Sequence, residues 1–234
     1  MIFAAGRGER MRPLTDSCPK PLLQVGGKAL IVWQIERLAA AGFQTVVINH
    51  AWLGAQIEAT VGDGARWGIR VLYSAETEAL ETAGGIAQAL PLIDPSAQGR
   101  RFVAVSGDVF TDFDYASLSK QAARLAGMRE PGMHLVMVPN PSFHPRGDFA
   151  LSDDGRLSLD GSQKLTFGNI GVYDSRMFVD LPKGVAKALT PYYRETIAAG
   201  RASGELYQGA WENVGTPAQL HALDAALIAR RPAV

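Results

Sequence analysis

The stretch AAGRGERMRPLTDSCPKPL, residues 4–22, holds two Gly, three Arg and a Lys flanked by prolines, with little that is apolar. A core segment would not be written this way. It follows the short apolar run MIFAA, so it reads as a Gly-rich turn beyond a strand end, followed by cations. Turn amides left bare in this way form a nest for an anion, and Gly lets the backbone approach it closely. Arg10 and Arg12 offer forked donors to phosphate oxygens, and Lys20 offers a point charge.

Two familiar phosphate loops do not fit. The dinucleotide fingerprint G-x-G-x-x-G fails because Met11 stands where the third Gly belongs after Gly6 and Gly8. The pattern G-x-x-x-x-G-K-[ST] fails at Gly27-Lys28, which is followed by Ala29 and preceded five residues earlier by Leu22.

Outward from this stretch, two periods alternate. The runs TVVINH, IRVLYSAE and RFVAVSGD are rich in β-branched and aromatic residues and end in polar residues. Between them ALIVWQIERLAAAG, AWLGAQIEATVG and TAGGIAQALPLI carry helical patterns. Strands alternating with helices predict an α/β fold with a Rossmann-like, mostly parallel sheet flanked by helices. Ligands in such sheets collect beyond the carboxyl ends of the strands, so the segments after Ala5, Asn49, Ser74 and Gly107 should share one rim. The second half predicts a small β-rich, substrate-facing part: a strand at MHLVMVPN, a hairpin at FALSDDGRLSLDG and a strand at LTFGNIGVYD. A closing helix starts with Thr216 as N-cap, Pro217 in the first turn and Gln219 completing a capping box. We expect one domain over 1–234, with a nucleotide-binding half at 1–127 and a sugar-phosphate half at 128–234.

Composition narrows the function. With 47% apolar residues the 234-residue chain can bury a proper core. Lys plus Arg and Asp plus Glu are 23 each, so no net field attracts nucleic acid or an anionic membrane surface, and any anion must be captured locally. Cys18 is the single cysteine, which fits a reducing compartment. No run reaches the roughly 18 apolar residues of a membrane span, and the start does not read as a signal peptide; a cytoplasmic location is expected. The four His (His50, His134, His144 and His221) lack metal or triad spacing and read as surface or packing residues, with His50 on the expected rim.

The ordered set AAGRGERMRPLT, PKPL, the Gly-Asp ending RFVAVSGD and the late WENVGTP resembles the sugar-1-phosphate nucleotidyltransferases over nearly the whole chain. The resemblance implies attack of a sugar 1-phosphate on the α-phosphorus of a nucleoside triphosphate. It implies that the backbone at Ala5, Gly6 and Gly8 cradles the triphosphate. Arg10 would stabilise pyrophosphate, Lys20 would bridge the two reacting phosphates, and Asp108 would hold Mg²⁺. The family usually has Asp as its second metal ligand where this chain has Asn213, so a weaker metal site is expected.

Base reading in the family comes from the segment that here reads SAETEALETAGGI, with Glu81 where the family has Gly. Glu76 and Glu81 are acceptors suited to a base N–H, and Gly84 suits close approach to a flat base. The alternative is an acidic helix N-terminus favoured by its dipole. For the sugar, the Glu-Lys-Pro of hexose-specific relatives is missing. HPRGDFAL, LTFGNIGVY and INHAWLGAQI are instead similar to the branch that joins UTP to N-acetylmuramate α-1-phosphate in bacterial cell-wall recycling. That branch places Gly147 and Asn169 at the sugar phosphate and sugar, with Asp148 as a further polar candidate. UTP is therefore favoured over GTP, and an enzyme without an appended acyltransferase β-helix is expected. A hexose-1-phosphate enzyme such as a mannose-1-phosphate guanylyltransferase, and a non-catalytic nucleotide or sugar-phosphate sensor, stand as alternatives.

Overall fold

The computed structural model describes residues 1–230. The strands are β1 (Ile2–Phe3), β2 (Gln24–Val25), β3 (Lys28–Ala29), β4 (Thr45–His50), β5 (Arg70–Ala75), β6 (Arg101–Ser106), β7 (Val109–Thr111), β8 (Met133–Val138), β9 (Ala150–Leu151), β10 (Leu157–Ser158), β11 (Thr166–Asp174), β12 (Ala202–Leu206) and β13 (Trp211–Asn213). The α-helices are α1 (Leu30–Ala40), α2 (Gly54–Val61), α3 (Glu81–Ile93), α4 (Leu118–Ala126), α5 (Thr190–Ala198) and α6 (Pro217–Ala229).

Seven strands form the main sheet in the order β12-β8-β11-β6-β1-β4-β5. Only β11 runs against its neighbours; the pairs β1–β4, β1–β6, β4–β5 and β8–β12 are parallel. The alternation of side chains along each strand explains why both faces are covered. Val46, Ile48, Val103 and Val105 pack with Ile31 and Ile35 of α1 and Leu118 of α4. Val47, Phe102 and Ala104 point the other way, to Ile86 and Ile93 of α3 and Ile197 of α5. The hairpin expected at FALSDDGRLSLDG is present as β9 paired antiparallel with β10.

A third apolar cluster matters for the site. Met11, from the Gly-rich stretch, packs with Leu23, Val25, Phe110, Val214 and α6 residues Leu220 and Leu223. It fastens the opening loop to the β7–β13 ribbon and the closing helix. Thr216 caps that helix by accepting from Gln219 N–H at 3.3 Å. The Gln219 side chain reaches back to Gly215 N–H at 2.8 Å, one residue earlier than a capping box reaches. Because Met11 is fully buried, Met11→Ala should destabilise the protein by about 2–5 kcal/mol, measured by denaturant unfolding. Activity of the folded variant should fall as well, since both loops lose a common anchor.

Candidate active site

The strand ends meet on one rim. Phe3 lies opposite Asn49 on one side and Ser106 on the other, and Asn49 lies opposite Ser74. The chain turns away beyond β1 through Ala5, Gly6 and Gly8. Gly8 has φ 69°, and a Cβ there would sit 3.1 Å from both Lys20 Cβ and Thr15 Cγ2, so this turn needs Gly. The turn is braced from outside: Arg7 donates to Thr15 O at 2.7 Å and to Asp16 Oδ1 at 3.0 Å, and its guanidinium lies 3.9 Å over the Trp52 ring. Trp52 Nε1 donates to the same Thr15 carbonyl at 3.0 Å. Arg7 and Trp52 are thereby committed to holding the loop, whereas Arg10 is exposed and has no ion pair or hydrogen-bond partner among the described residues.

Lys20 and Asp108 form an ion pair with side chains 12% and 22% exposed. Ser106 Oγ donates to the other Asp108 oxygen at 2.6 Å. Asp108 also sits beside Asn213: Val109 pairs with Asn213 across the β7–β13 ribbon, and Val214 N–H donates to Asp108 O at 3.0 Å. Glu212 is exposed, while Asn213 is half-buried and lines a cavity, as the alternation of strand side chains demands.

Three cavities meet here. One of about 340 Å³ is lined by Gly6, Gly8, Arg10, Lys20 and Asp108. A second, of about 210 Å³, shares Gly6, Lys20 and Asp108 and adds Ala5, Asn49 and Glu81. A third, of about 780 Å³, is lined by Gly147, Asp148, Asn169, Trp211 and Asn213. Thr82 lines both the second and the third, so the two are contiguous.

The large cavity is built from strained backbone held by hydrogen bonds. Asn169 has φ 56°, at an irregularity of β11 between Phe167 and Gly171. Trp211 Nε1 donates to Gly168 O at 2.9 Å and ties the bulge to β13. Gly147 has φ 61°, and a Cβ there would come within 2.7 Å of the Lys164 backbone. Asp148 accepts from Phe167 N–H at 2.8 Å through one oxygen and lies 3.1 Å from His144 Nε2 through the other. Its carboxylate braces the loop.

Several expectations are corrected. Glu76 does not face the cavities. Its oxygens accept from Asn49 Nδ2 at 2.7 Å and from Leu80 N–H at 2.8 Å. Burial pushes its carboxyl above the ordinary carboxylate range, against those hydrogen bonds. Through Asn49, whose Oδ1 takes Ala4 N–H at 3.1 Å, Glu76 fixes the backbone of the opening turn. Gly84 does not present itself to a base either: a Cβ there would be 2.3 Å from Val185 O, and its N–H goes to Lys187 O at 3.1 Å. Glu81 does line the second cavity, and its φ of 57° explains why a Gly suits this position. His50 is buried, paired with Glu58 at 2.7 Å and packed so tightly on Gly54 that a Cβ would lie 1.9 Å from Nδ1. It is a packing residue. His144, read as surface or packing, lines the large cavity instead.

The sequence reasoning passed over Thr82, Ser106, Trp211 and Arg194 as site residues. Trp211 stood inside the quoted WENVGTP segment; Arg194 stands on α5 in no motif at all.

Residues 1–142 match the nucleotidyl transferase family. The chain is 48% identical over 223 residues to N-acetylmuramate alpha-1-phosphate uridylyltransferase of Neisseria meningitidis, covering 94% of each chain. It is 33% identical over 235 residues to the protein of the same name from Caulobacter vibrioides, covering 97% of this chain and 96% of the relative. A crystal structure from Bacillus anthracis, described as a glucose-1-phosphate thymidylyltransferase in complex with sucrose, superposes with a TM-score of 0.78 at 20% identity. It covers 100% of this chain and 96% of that one, and speaks for the fold. The chain belongs to the sugar-1-phosphate nucleotidyltransferases, enzymes that transfer a nucleoside monophosphate from a nucleoside triphosphate to a sugar 1-phosphate.

Proposed function

We propose that the nucleotide is UTP, the sugar is N-acetylmuramate α-1-phosphate, and the product is the UDP-sugar formed in cell-wall recycling. The observation that carries this reading is the near full-length match to the Neisseria relative of that name. The geometry supports it with a compact rim cavity that continues, past Thr82, into a larger one. Residues 1–127 then serve as the nucleotide-binding half and 128–234 as the sugar-phosphate half of one domain.

The reaction forms a bond between a sugar-phosphate oxygen and the α-phosphorus and breaks the bond to the β-phosphate oxygen. A phosphate monoester has a second pKa near 6, so the nucleophile is already mostly ionised at pH 7 and no general base is needed. What the protein supplies is position and positive charge. Gly6 and Gly8 present backbone to the triphosphate. Arg10, free of internal partners among the described residues, takes the departing pyrophosphate. Lys20 lines both smaller cavities and stands between the two reacting phosphates. Gly147, Asp148 and Asn169 shape the sugar end.

The family generally uses a divalent metal. Here the Asp108 carboxylate, just before β7, and the Asn213 amide at the end of β13, opposite Val109, are hard oxygen donors suited to Mg²⁺. No group of three or more His, Cys, Asp or Glu fit to hold a metal occurs among the described residues, so phosphate oxygens and water would supply the rest of the shell. Bound Mg²⁺ would neutralise charge on the phosphates. Asn213→Asp adds a negative charge to this pair and should lower the Mg²⁺ concentration for half-maximal rate about tenfold. A Mg²⁺ titration of pyrophosphate release checks it.

The substrate reading is tested by pyrophosphate release with UTP, dTTP, GTP and ATP, each against the 1-phosphates of N-acetylmuramate, glucose, N-acetylglucosamine and mannose. Turnover confined to UTP with the muramate substrate is expected. Turnover with a hexose 1-phosphate, or with GTP and mannose 1-phosphate, overturns the substrate assignment and keeps the chemistry. No helix among the described residues is long and apolar enough to cross a membrane; we propose that the enzyme works in the cytoplasm.

A further inference from the structure

The large cavity carries positive charge that the phosphate chemistry does not use. Arg146, Lys164 and Arg194 all line it. Arg146 and Arg194 are exposed and Lys164 half-buried. None of the three side chains has an ion pair or hydrogen bond among the described residues. The acidic residue lining the same cavity, Asp148, is already engaged by Phe167 N–H and His144. Over the whole chain cations and anions balance, 23 against 23, so three unpaired cations in one concavity are a local concentration of charge. Asn213 and Gly147 line this cavity too, so the sugar phosphate meets one edge of it, where Lys20 already supplies the charge. Lys20 and Asp108, which mark the position of the reacting phosphates, line the neighbouring cavities and not this one. A second anionic group on the sugar is what this wall is built to meet, and a forked guanidinium fits a carboxylate with two hydrogen bonds.

We propose that Arg146 and Arg194, with Lys164 beside them, form a subsite for a carboxylate carried by the sugar, distinct from the phosphate site at Lys20. It selects an acidic sugar 1-phosphate over its neutral counterpart. The inference rests on the substrate reading above, in which the sugar bears a carboxylate on its lactyl ether. The three residues come from separate segments: Arg146 from the loop after β8, Lys164 from the approach to β11 and Arg194 from α5. They converge on the large cavity, so the charge of the sugar substituent is read by the tertiary fold and not by one loop.

The test compares two substrates that differ only in this charge: N-acetylmuramate 1-phosphate and the same compound with the carboxylate converted to its carboxamide. The wild type should favour the acid by about 100-fold in kcat/KM. In the Arg146→Gln, Arg194→Gln double variant the rate with the acid should fall to that with the amide. The rate with the amide should stay within about threefold of wild type, because neutral Gln removes charge and keeps a donor. Each single variant should lose part of the preference, and unchanged melting temperatures should confirm that exposed, unpaired side chains were replaced. If the wild type prefers the acid and the double variant keeps that preference, the subsite is wrong and the substrate reading stands. An equal loss with both substrates would show that the arginines hold the shared phosphate or the fold, and also overturns the subsite. If the wild type turns over only neutral sugar 1-phosphates, the substrate reading fails and the subsite fails with it.

Discussion

Asp108→Asn should lower kcat by about 1,000-fold while lowering the melting temperature only modestly. The substitution keeps the size of the side chain and an oxygen able to accept from Ser106 Oγ, now at 2.6 Å from the carboxylate. It removes one negative charge, opposite Lys20, and leaves two neutral amides, at 108 and 213, as the proposed protein ligands. A hard cation held by two neutral amide oxygens binds far more weakly than one held by a carboxylate. High Mg²⁺ should therefore restore only part of the rate. Stability should fall only modestly: the pair is mostly buried, but the Asn oxygen still accepts a hydrogen bond and Lys20 opens onto two cavities where water can solvate its charge. Pyrophosphate release across a Mg²⁺ series, with a thermal melt on the same preparation, measures both. A variant that keeps more than a tenth of wild-type rate would remove Asp108 from the charge-handling role.

The rim that brings Asp108 forward was legible in the sequence, and the reason is local. TVVINH, IRVLYSAE and RFVAVSGD are short β-branched runs that end in polar residues, and a parallel sheet aligns such ends. The Gly-rich turn after β1 then had one place to go. Strand β12 was not foreseen. Its sequence, ASGEL, has Gly and Ser inside and Glu near its end, and it is a strand because β8 offers a parallel edge to pair with. The β7–β13 ribbon was hidden for a related reason. Asn213 and Val109 are more than a hundred residues apart, and no local pattern announces that pairing. The motif resemblance grouped Asp108 with Asn213 by implication; the ribbon brings their backbones together, with Val109 opposite Asn213 and Val214 N–H on Asp108 O.

Errors at the nucleotide end share one cause. Gly84 and Glu76 lie in a segment whose composition suits a base, but the side facing a ligand is decided by distant chain. The 185–187 loop fills the space beside Gly84, and Asn49 captures Glu76. Glu81, whose backbone is at positive φ at the start of α3, lines the cavity together with Ala79 and Thr82 of the same segment. Arg194 was illegible for the opposite reason: an arginine on a helix is ordinary until the cavity wall is assembled around it.

Lys20→Met carries the second large effect, and its signature has two parts with opposite signs. The Lys20 side chain is 12% exposed, packs beside Gly8, and lines both smaller cavities while paired with Asp108. The reacting phosphates repel each other, and Lys20 is the cation shared by the cavities where they must meet. Removing its charge should lower kcat by about 100-fold to 1,000-fold, with a smaller change in KM for the nucleotide, because the loss is felt most where charge is concentrated in the transition state. Met preserves the stem that packs on the Gly turn, so the fold should persist. The same substitution frees Asp108 from its competing cation, so the Mg²⁺ concentration for half-maximal rate should fall even as the maximal rate collapses. Lys20→Arg should recover part of kcat and return the Mg²⁺ requirement toward wild type. A lysine that merely clamped the loop would behave differently: Lys20→Met would lower the melting temperature and raise the Mg²⁺ requirement together, as both site loops loosened. The direction of the Mg²⁺ shift therefore separates a residue that positions phosphates from one that holds the loop in place.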